Sequence, residues 1–557
     1  MGVWYKPSQK EIDAVKQYSK DIYVKVELLS RELKVQGTIE GNMISDNFTI
    51  DSESKQRRTY SCELCVTDST FLVGEDKKIW IDKYIRVYYG IKSLRTKEVI
   101  WWLLGTFTYL NANYRYSSTE NNLSLSCADM MANFDGTKNG QIVVERVTDY
   151  STAETYNSTT GYKFVINQGE KIKKAIISLV KNAGIKSYQI EDYPIDRDII
   201  PYDLEYTNSL TYNDVWNDIC ELYPGWEYFF DEYGKFIWRR IPSGGSGSDN
   251  ERIVLDNTLI DPLIVDESIS DNFTGIYNVT EVWGQMLELD SKGDRYTNTS
   301  TYDSSTNTYS IHLSLIPKSG KTQEDWNKIE TFFDHLDRIA FMVKATNNAA
   351  SPKVKITGDV IGSDNQVIGH ASLPAMKIVR DGGAILAKNY LLSDIDANQT
   401  IYVFTYRNEY TKEDGISKWT NVLSLNGKTQ CFGRYEEKSK DCPFSTTQLG
   451  YQIVQRKNFD KLVSDDLCYN QAQYETYKAS QMMKTIDLTM IIIPWLDVNQ
   501  KVAYVMQNAE NRGSQLANKN KIPQYIIKNI SWNTFDGTMK LTMYRFQKDL
   551  EFVKKKK

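Results

Sequence analysis

Two short stretches of the sequence share one pattern: WIDKYIRV at residues 80–87 and WLDVNQKV at residues 495–502. Each has Trp, an aliphatic residue and Asp, then three variable residues, a basic residue, Val and, two positions later, Tyr. The first copy comprises Trp80, Asp82, Arg86, Val87 and Tyr89, and the second Trp495, Asp497, Lys501, Val502 and Tyr504. Both copies lie in segments rich in β-branched and aromatic residues, which favour strands. The pattern predicts a duplicated β element, in which these residues have a structural role.

Residues 21–149 are predicted to form the first of two tube-like antiparallel β-barrel domains, preceded by an N-terminal arm at residues 1–20. Short runs such as DIYVKVEL and NNLSLSCAD are rich in strand-forming residues and are separated by Gly, Asn and Asp. Alternation of Leu123, Leu125 and Cys127 with polar residues indicates one buried face. Closely spaced strands of this kind form a barrel or a sandwich.

Residues 150–242 have an α+β pattern. One helix is predicted from an apolar stripe that ends before Gly184, and a second from Thr211, a suitable N-cap, to Pro224. Two aromatic strands follow in WEYFFDEYGKFIWRR, residues 226–240. Their rings suit either cross-strand pairs that cover the helices, which we favour, or a sugar-binding platform.

Gly and Ser in PSGGSGSDN, residues 242–250, predict a flexible linker, assigned to residues 243–252. A second, split barrel is predicted from residues 253–290 and 446–546, with an Asp536-Gly537 hairpin near its end. Residues 291–445 are predicted to be an inserted mixed β-rich domain, with a helix in EDWNKIETFFDHLDRIA at residues 324–340. Residues 547–557 form a basic tail. The predicted fold class is therefore mainly β with α+β.

Composition excludes several classes of function. The net charge of −5 argues against a dedicated nucleic-acid binder, which needs a surplus of Lys and Arg on one face. No apolar signal segment opens the sequence, and no stretch reaches the roughly 18–20 apolar residues of a membrane span, so we expect a soluble protein made in the cytosol. An odd number of cysteines, seven, indicates reduced thiols. Cys62 and Cys65 have metal-ligand spacing but lack two further ligands nearby.

No catalytic residue, cofactor site or metal site is predicted. The three histidines stand apart in the sequence, and the SGKT and NGKT segments lack the first Gly of a phosphate-binding loop. Carboxylates are plentiful, however, and a glycosidase pair can come from distant parts of a chain. The 37 Tyr residues suit either carbohydrate stacking or large subunit interfaces. A monomeric carbohydrate-binding or carbohydrate-active multidomain protein therefore stays open as the alternative function.

The succession of these motifs resembles the baseplate hub proteins of long-tailed bacteriophages and related contractile injection systems, which join the tail tube to the central spike. The likeness covers roughly residues 20–290 and 445–546. In chain order it is carried by WWLLGTFTYLNANYRYSSTENNLSLSCADMMANFDG, GEKIKKAIISLVKNAGI, SLTYNDVWNDICELYPGWEYFFDEYGKFIWRR, IYNVTEVWG and YIIKNISWNTFDGTMKLTMYR. The chain departs from the simplest members by its large insertion, and we expect no lytic role, because the last predicted strand lies within a dozen residues of the end of the sequence.

The resemblance implies a structural, non-enzymatic subunit of the virion tail baseplate, assembled in the host cytoplasm. Three copies would set six barrels in a pseudo-sixfold ring, leaving a channel for tape-measure protein or for DNA in passage. Expected partners are a tail tube or distal tail protein, a central spike or tail-tip protein and, at the insertion, neighbouring baseplate proteins or else cell-surface sugar. Asp82 and Asp497 are expected to make strand-end hydrogen bonds or to line the lumen.

Overall fold

The computed structural model describes residues 5–545 with gaps, and it is mainly β with α+β elements. The gaps are residues 41–42, 67–71, 150–158, 203, 208, 242–252, 272–274, 291–294, 304, 306–307, 317–339, 345–352, 362–366, 373–375, 378, 382–383, 388–402, 414–415, 441, 482–483 and 519–521. Its largest feature is a sheet of 13 strands, to which both ends of the chain contribute.

The first β unit follows a short helix, α1 (Gln9–Lys16), which Ser8 and Glu11 begin with a capping box. Its antiparallel strands lie in the order β3-β4-β7-β6-β5-β1-β2. In β4 and β7, buried residues alternate with more exposed ones, as the sequence predicts for a sheet with one buried face. The strands are β1 (Ile22–Leu29), β2 (Val35–Glu40), β3 (Met43–Asp51), β4 (Arg58–Cys65), β5 (Tyr84–Lys92), β6 (Val99–Tyr116) and β7 (Asn121–Asp129).

The next part of the chain is an α+β layer with its own core. Its two helices occupy the segments predicted to be helical, and Thr211 caps the second with Asp214. The sheets have the orders β11-β9-β8 and β10-β13-β12, and Trp216, Phe236 and Trp238 are fully buried between the second sheet and the helices. The elements are β8 (Glu145–Asp149), β9 (Thr159–Ile166), α2 (Ile172–Asn182), β10 (Tyr188–Ile190), β11 (Leu204–Tyr206), α3 (Tyr212–Leu222), β12 (Trp226–Phe230) and β13 (Phe236–Arg240).

The chain returns to the large sheet with β14 (Ile253–Asp256), α4 (Asn257–Ile260) and β15 (Ile264–Asp271), and then leaves it again. Two further sheets follow, with the orders β23-β24-β19-β25-β26-β16-β27 and β17-β18-β20-β21, and β22 pairs with β20. Their elements are β16 (Val279–Asp290), β17 (Arg295–Asp303), β18 (Thr308–Ile316), β19 (Ala340–Lys344), β20 (Lys353–Ile361), β21 (Val367–Ser372), β22 (Met376–Lys377), β23 (Val379–Asp381), β24 (Ala384–Ala387), β25 (Val403–Glu413), β26 (Ile416–Glu436), α5 (Thr446–Leu449), β27 (Val454–Asn458) and α6 (Asp465–Gln481).

The sequence predicts that residues 253–290 and 446–546 form the second barrel, but β16, β27 and α6, which lie within these ranges, are outside the large sheet. The structure pairs β16 with β26 and β27, outside the large sheet. Val282 and Trp283 are buried there, and Gly433 of β26 allows helix α6 to lie directly on the strand, since a Cβ at Gly433 would be 2.2 Å from backbone atoms of Cys468 and Tyr469. The predicted helix at residues 324–340 lies outside the described residues except for its last position.

The chain ends in the large sheet with β28 (Lys484–Ile491), β29 (Lys501–Ala503), α7 (Arg512–Ala517), β30 (Gln524–Trp532) and β31 (Thr538–Arg545). With β14 and β15 these strands make the second β unit, in the order β15-β28-β31-β30-β29-β14. The predicted turn between β30 and β31 has Gly537 at φ +67°, a left-handed conformation that Gly adopts without strain.

The two β units have the same topology. The order β3-β4-β7-β6-β5-β1 in the first matches β15-β28-β31-β30-β29-β14 in the second, and corresponding strands also follow one another in the same chain order from β3 and from β15 onward. One pairing differs, because β1 is antiparallel to β5 whereas β14 is parallel to β29. Residues 272–483 lie between β15 and β28, where the first unit has only residues 52–57 between β3 and β4.

Candidate functional site

The two β units meet at a seam formed by β3 and the second half of β30. These strands are antiparallel, with four residue pairs from Phe48 opposite Trp532 to Asp51 opposite Asn529. The rings of Phe48 and Trp532 pack with centroids 4.5 Å apart. The first half of β30 pairs with β29 instead, and β31 covers its other edge. The seam therefore makes one continuous sheet from the two units.

A buried carboxylate lies at one end of the seam. Asp46, 4% exposed, accepts hydrogen bonds from the backbone nitrogen of Thr534 at 2.8 Å and from its hydroxyl at 2.7 Å. It also accepts one from the hydroxyl of Tyr60 in its own unit at 3.2 Å. Burial raises the pKa of Asp46, although these three donors favour the charged form. Asp46 thus connects β3 to the turn after β30.

Behind the seam, Asp497 of the second unit lies in a buried ion-pair network with two arginines of the first. Its carboxylate is 2.9 Å from Arg58 Nη2 and 3.4 Å from Arg57 Nε. Burial by itself would raise the pKa of Asp497, but the two guanidinium groups outweigh that effect and hold its pKa at about 2. Arg57 also donates to the carbonyl of Val498 at 2.9 Å. The network therefore joins the start of β4 to the connection that precedes β29.

The same network includes the α+β layer through Glu227 of β12. Its carboxylate is 2.8 Å from Arg57 Nη1 and 2.7 Å from Arg239 Nε, and the guanidinium of Arg57 lies 3.7 Å from the ring centroid of Phe229. Asn499, whose φ is +57°, donates from Nδ2 to the same carboxylate at 2.5 Å. Burial opposes ionisation of Glu227, yet the arginines lower its pKa overall. Three parts of the chain are therefore connected through one set of buried charges.

The first copy of the repeated motif lies in the connection before β5 and in β5 itself. Trp80 is half-buried and Asp82 is exposed. Arg86 donates from Nε to the hydroxyl of Thr106 at 3.3 Å. Val87 and Tyr89 are buried in the core of the large sheet.

The second copy lies in the connection before β29, the strand that holds the same place as β5 in the order of its unit. Trp495 is 8% exposed, and its ring packs 6.0 Å from that of Trp102 in the first unit. Lys501, Val502 and Tyr504 are buried, and the Tyr504 hydroxyl donates to Glu267 of β15. The surroundings of the two copies differ most at the carboxylates, because Asp82 is exposed whereas Asp497 is held by arginines.

The partners of Asp497 could not be identified from the sequence. The signal available was the pair Arg57-Arg58 immediately before the alternating strand TYSCELC, where two consecutive cations at the start of a buried strand need anionic partners. Their partners lie in distant parts of the chain, so they cannot be predicted from the sequence. Asp46 gave a similar signal, as a carboxylate inside a strand with one buried face.

A cleft of about 240 Å³ lies beside this junction, between the first unit, the β12–β13 hairpin and the connection before β29. Aromatic and acidic side chains line it together, among them Trp101, Tyr233, Trp495, Asp231 and Glu232. Burial raises the pKa of both Asp231 and Glu232. Rings beside carboxylates are the groups that proteins use to hold a sugar or a cation.

The described residues contain no group of three or more His, Cys, Asp or Glu side chains placed to hold a metal ion. Cys62 and Cys65 point to opposite faces of β4, one buried and one exposed, as the alternation of a strand requires. Within the part of the chain that the structure describes, no helix has the length and apolar content needed to cross a membrane.

Comparison with solved structures gave several tail proteins at low identity. A 43 kDa tail protein of prophage MuSo2 from Shewanella oneidensis has 7% identity and a TM-score of 0.43, with 94% of this chain and 98% of that chain covered. A tail protein from Neisseria meningitidis MC58 has 8% identity and a TM-score of 0.41, covering 94% and 96%. The half-lidded Francisella PdpA-VgrG complex has 8% identity and a TM-score of 0.37, covering 97% of this chain and 60% of that one.

All three TM-scores lie below 0.5. The search of curated proteins gave no match. Residues 441–549, which include most of the second β unit, match the family model described as "Domain of unknown function (DUF5048)".

Proposed function

We propose that this chain is a structural subunit of a phage tail baseplate hub. Three copies form a ring of six β units around a channel, and the ring joins the tail tube or distal tail protein to a central spike or tail-tip protein. The single observation that carries the proposal is the duplicated β unit, whose two copies share one topology and are joined edge to edge within the chain. The sequence resemblance to hub proteins supplies the expected number of copies.

A duplicated unit is a physical solution to a mismatch of symmetry. Three identical chains that each hold two similar units present six similar positions to a sixfold tube, while the chain as a whole stays threefold for a trimeric spike. In this proposal the motif copies at Trp80 and Trp495 mark equivalent positions, since each precedes the strand that is fifth in the shared order β3-β4-β7-β6-β5 or β15-β28-β31-β30-β29. The role needs rigid geometry and no catalytic residue.

Rigidity is what the buried ion-pair network provides. Arg57, Asp497 and Glu227 connect the two β units and the α+β layer through charges that are each less than 16% exposed. Loss of one partner within the folded chain would leave a buried charge uncompensated, which costs about 3–5 kcal/mol. The relative orientation of the two units is therefore strongly fixed, as a ring of defined diameter requires.

Electron microscopy of the purified full chain tests the proposal. Class averages viewed along the particle axis are expected to have six lobes around a central hole, with threefold rather than sixfold differences at the periphery, where residues 272–483 add mass. A compact particle without a hole, or a ring whose lobes do not number six, contradicts the proposal. Binding of neighbouring baseplate proteins at residues 291–445 belongs to the same proposal and is tested by pull-down with the full chain as bait.

One observation favours the carbohydrate-binding alternative, namely the cleft lined by Trp101, Tyr233 and Glu232. Aromatic faces beside carboxylates suit a sugar ring. A titration of the full chain with N-acetylglucosamine oligomers, followed by tryptophan fluorescence, tests it against the Glu232→Gln variant. Saturable binding by a monomer, abolished by Glu232→Gln, favours the carbohydrate-binding alternative over the hub. The absence of any fluorescence response on titration contradicts that alternative.

A further inference from the structure

The seam inside the chain requires two kinds of strand edge. The first unit contributes β3, whose other edge pairs with β4, and the second contributes the part of β30 that lies beyond its pairing with β29. By the shared order, the counterpart of β3 in the second unit is β15, and the counterpart of β30 in the first unit is β6. If the seam is a property of the repeated unit, these two counterparts are also seam-forming edges.

Strand β15 has an edge available for such a seam. It pairs with β28 along its whole length, from Ile264 opposite Met490 to Asp271 opposite Lys484. Among the described strands, none pairs with its other edge. Val265 is 63% exposed and Ile269 is 37% exposed on this strand. A free edge that carries exposed apolar residues tends to pair with a strand of another chain unless it is covered.

Strand β6 has the complementary edge. Residues 99–108 of β6 pair with β5, and residues 107–116 pair with β7. Residues 109–116 therefore pair with β7 alone among the described strands. Residues 111–116 are all exposed, and they include Tyr114 at 42% and Tyr116 at 74%. β30 has the same division, with β29 along its first half and β3 along its second.

We propose that β15 of one copy pairs antiparallel with residues 109–116 of β6 in a second copy, repeating between chains the seam that β3 and β30 make within one. The inference rests on the proposed ring and names the surfaces that form it. Because the two edges are different surfaces, each copy uses one edge toward each neighbour, and the contact repeats head to tail until the ring closes. Charge is complementary as well, since β15 carries Asp266 and Glu267, while the β6 segment carries Arg115, which stays 74% exposed in its ion pair with Glu120.

The motif tryptophans fit this arrangement. Inside the chain, the unit that contributes the β30 edge also extends Trp495 onto Trp102 of the unit that contributes β3. Between chains, the unit that contributes the β6 edge holds Trp80, which is half-buried in the single chain. The inference therefore places Trp80 against the second unit of the neighbouring copy. The Trp80 ring is expected to become less accessible to a soluble fluorescence quencher on assembly.

Disulfide scanning of the full chain tests the pairing. Cys65, which is exposed, is first replaced by Ser, and Ile269→Cys is then combined with a single Cys at each position from 111 to 115 in turn. Antiparallel pairing predicts the highest yield of covalent multimers at one position and a lower yield two residues away. The yield at the immediate neighbours should be several-fold lower, because side chains alternate between faces. Ile195→Cys, on a fully exposed turn of the α+β layer, replaces Ile269→Cys in the control.

Solution mass is measured in parallel so that the two proposals can fail separately. A multimer with crosslinks of alternating strength supports the pairing. A trimer that forms no crosslink at any of the five positions, or forms them equally at all five, overturns the pairing and leaves the hub proposal in place. A chain that stays monomeric overturns both.

Discussion

Replacement of Asp497 by Asn is the sharpest perturbation of the junction. The change keeps the size of the side chain and removes the charge that Arg58 contacts at 2.9 Å and Arg57 at 3.4 Å. Arg57 keeps its ion pair with Glu227. Arg58 keeps a hydrogen bond to the carbonyl of Phe230 at 2.9 Å and a longer ion pair with Glu232 at 3.9 Å, and Asp129 and Asp231 are further acidic neighbours. The variant therefore removes the shortest ion pair of a buried guanidinium.

The expected size of the effect follows from the pKa. Asp497 ionises at about 2 in the folded chain against an ordinary value of 3.8. At about 1.4 kcal/mol for each pH unit, the folded state favours the charged carboxylate by roughly 2.5 kcal/mol. Loss of one member of a buried ion pair typically costs about 3–5 kcal/mol, because the partner is left unpaired. We expect Asp497→Asn to lower the free energy of unfolding by about 2.5–4 kcal/mol.

Urea unfolding at pH 7, followed by tryptophan fluorescence, measures the change, and Asp82→Asn is the matched control. Asp82 is the corresponding motif residue but is exposed, so its replacement is expected to change stability by less than about 0.5 kcal/mol. The folded pKa of Asp497 is depressed, so its contribution is fully present above pH 4 and is lost as the pH falls toward 2. The difference from wild type should therefore shrink over that interval. Equal effects of the two substitutions at pH 7 would refute the reasoning.

Three further substitutions test other parts of the structure. Asp46→Ala leaves the buried donors of Thr534 unpaired and should lower the free energy of unfolding by about 2–4 kcal/mol, measured by urea unfolding. Tryptic cleavage near the seam should be faster, and an unchanged digestion pattern contradicts the role of Asp46 at the seam. Asp218 of helix α3 lies 3.9 Å from Lys461, and burial raises its pKa to about 6. Asp218→Asn should therefore stabilise the chain by about 1–2 kcal/mol above pH 6 and have no effect below pH 4, and a stabilisation that does not vary with pH contradicts the raised pKa. Gly433→Ala should cost about 3 kcal/mol or more by overlap with helix α6, whereas Gly513→Ala, with nothing within 4 Å, should be neutral or stabilising by thermal unfolding.

Much of the local structure was predictable because it depends on neighbouring residues. The apolar stripe before Gly184 and the N-cap at Thr211 predict α2 and α3, and both form where the spacing places them. The Asp536-Gly537 pair predicts the turn between the last two strands, and Gly537 adopts the required left-handed conformation. Alternation in β4 and β7 likewise predicts which side chains are buried.

Pairing between distant strands was less predictable. The alternation of β16 indicates a strand but not its partner, and the sequence analysis therefore placed it with the wrong sheet. The same limit applies to the buried junction. Asp497 stands out in the sequence as part of a repeated motif, yet its partners Arg57 and Arg58 are hundreds of residues away, and only the fold brings them together.

The mass of the full chain in solution, measured by native mass spectrometry at low micromolar concentration, tests the central claim most directly. One chain has a mass of 64.3 kDa, so the account predicts a species of three times that value, about 193 kDa, that the Ile269→Asp substitution at the β15 edge shifts toward smaller species. A stable species of 64.3 kDa in the unmodified protein would contradict the account.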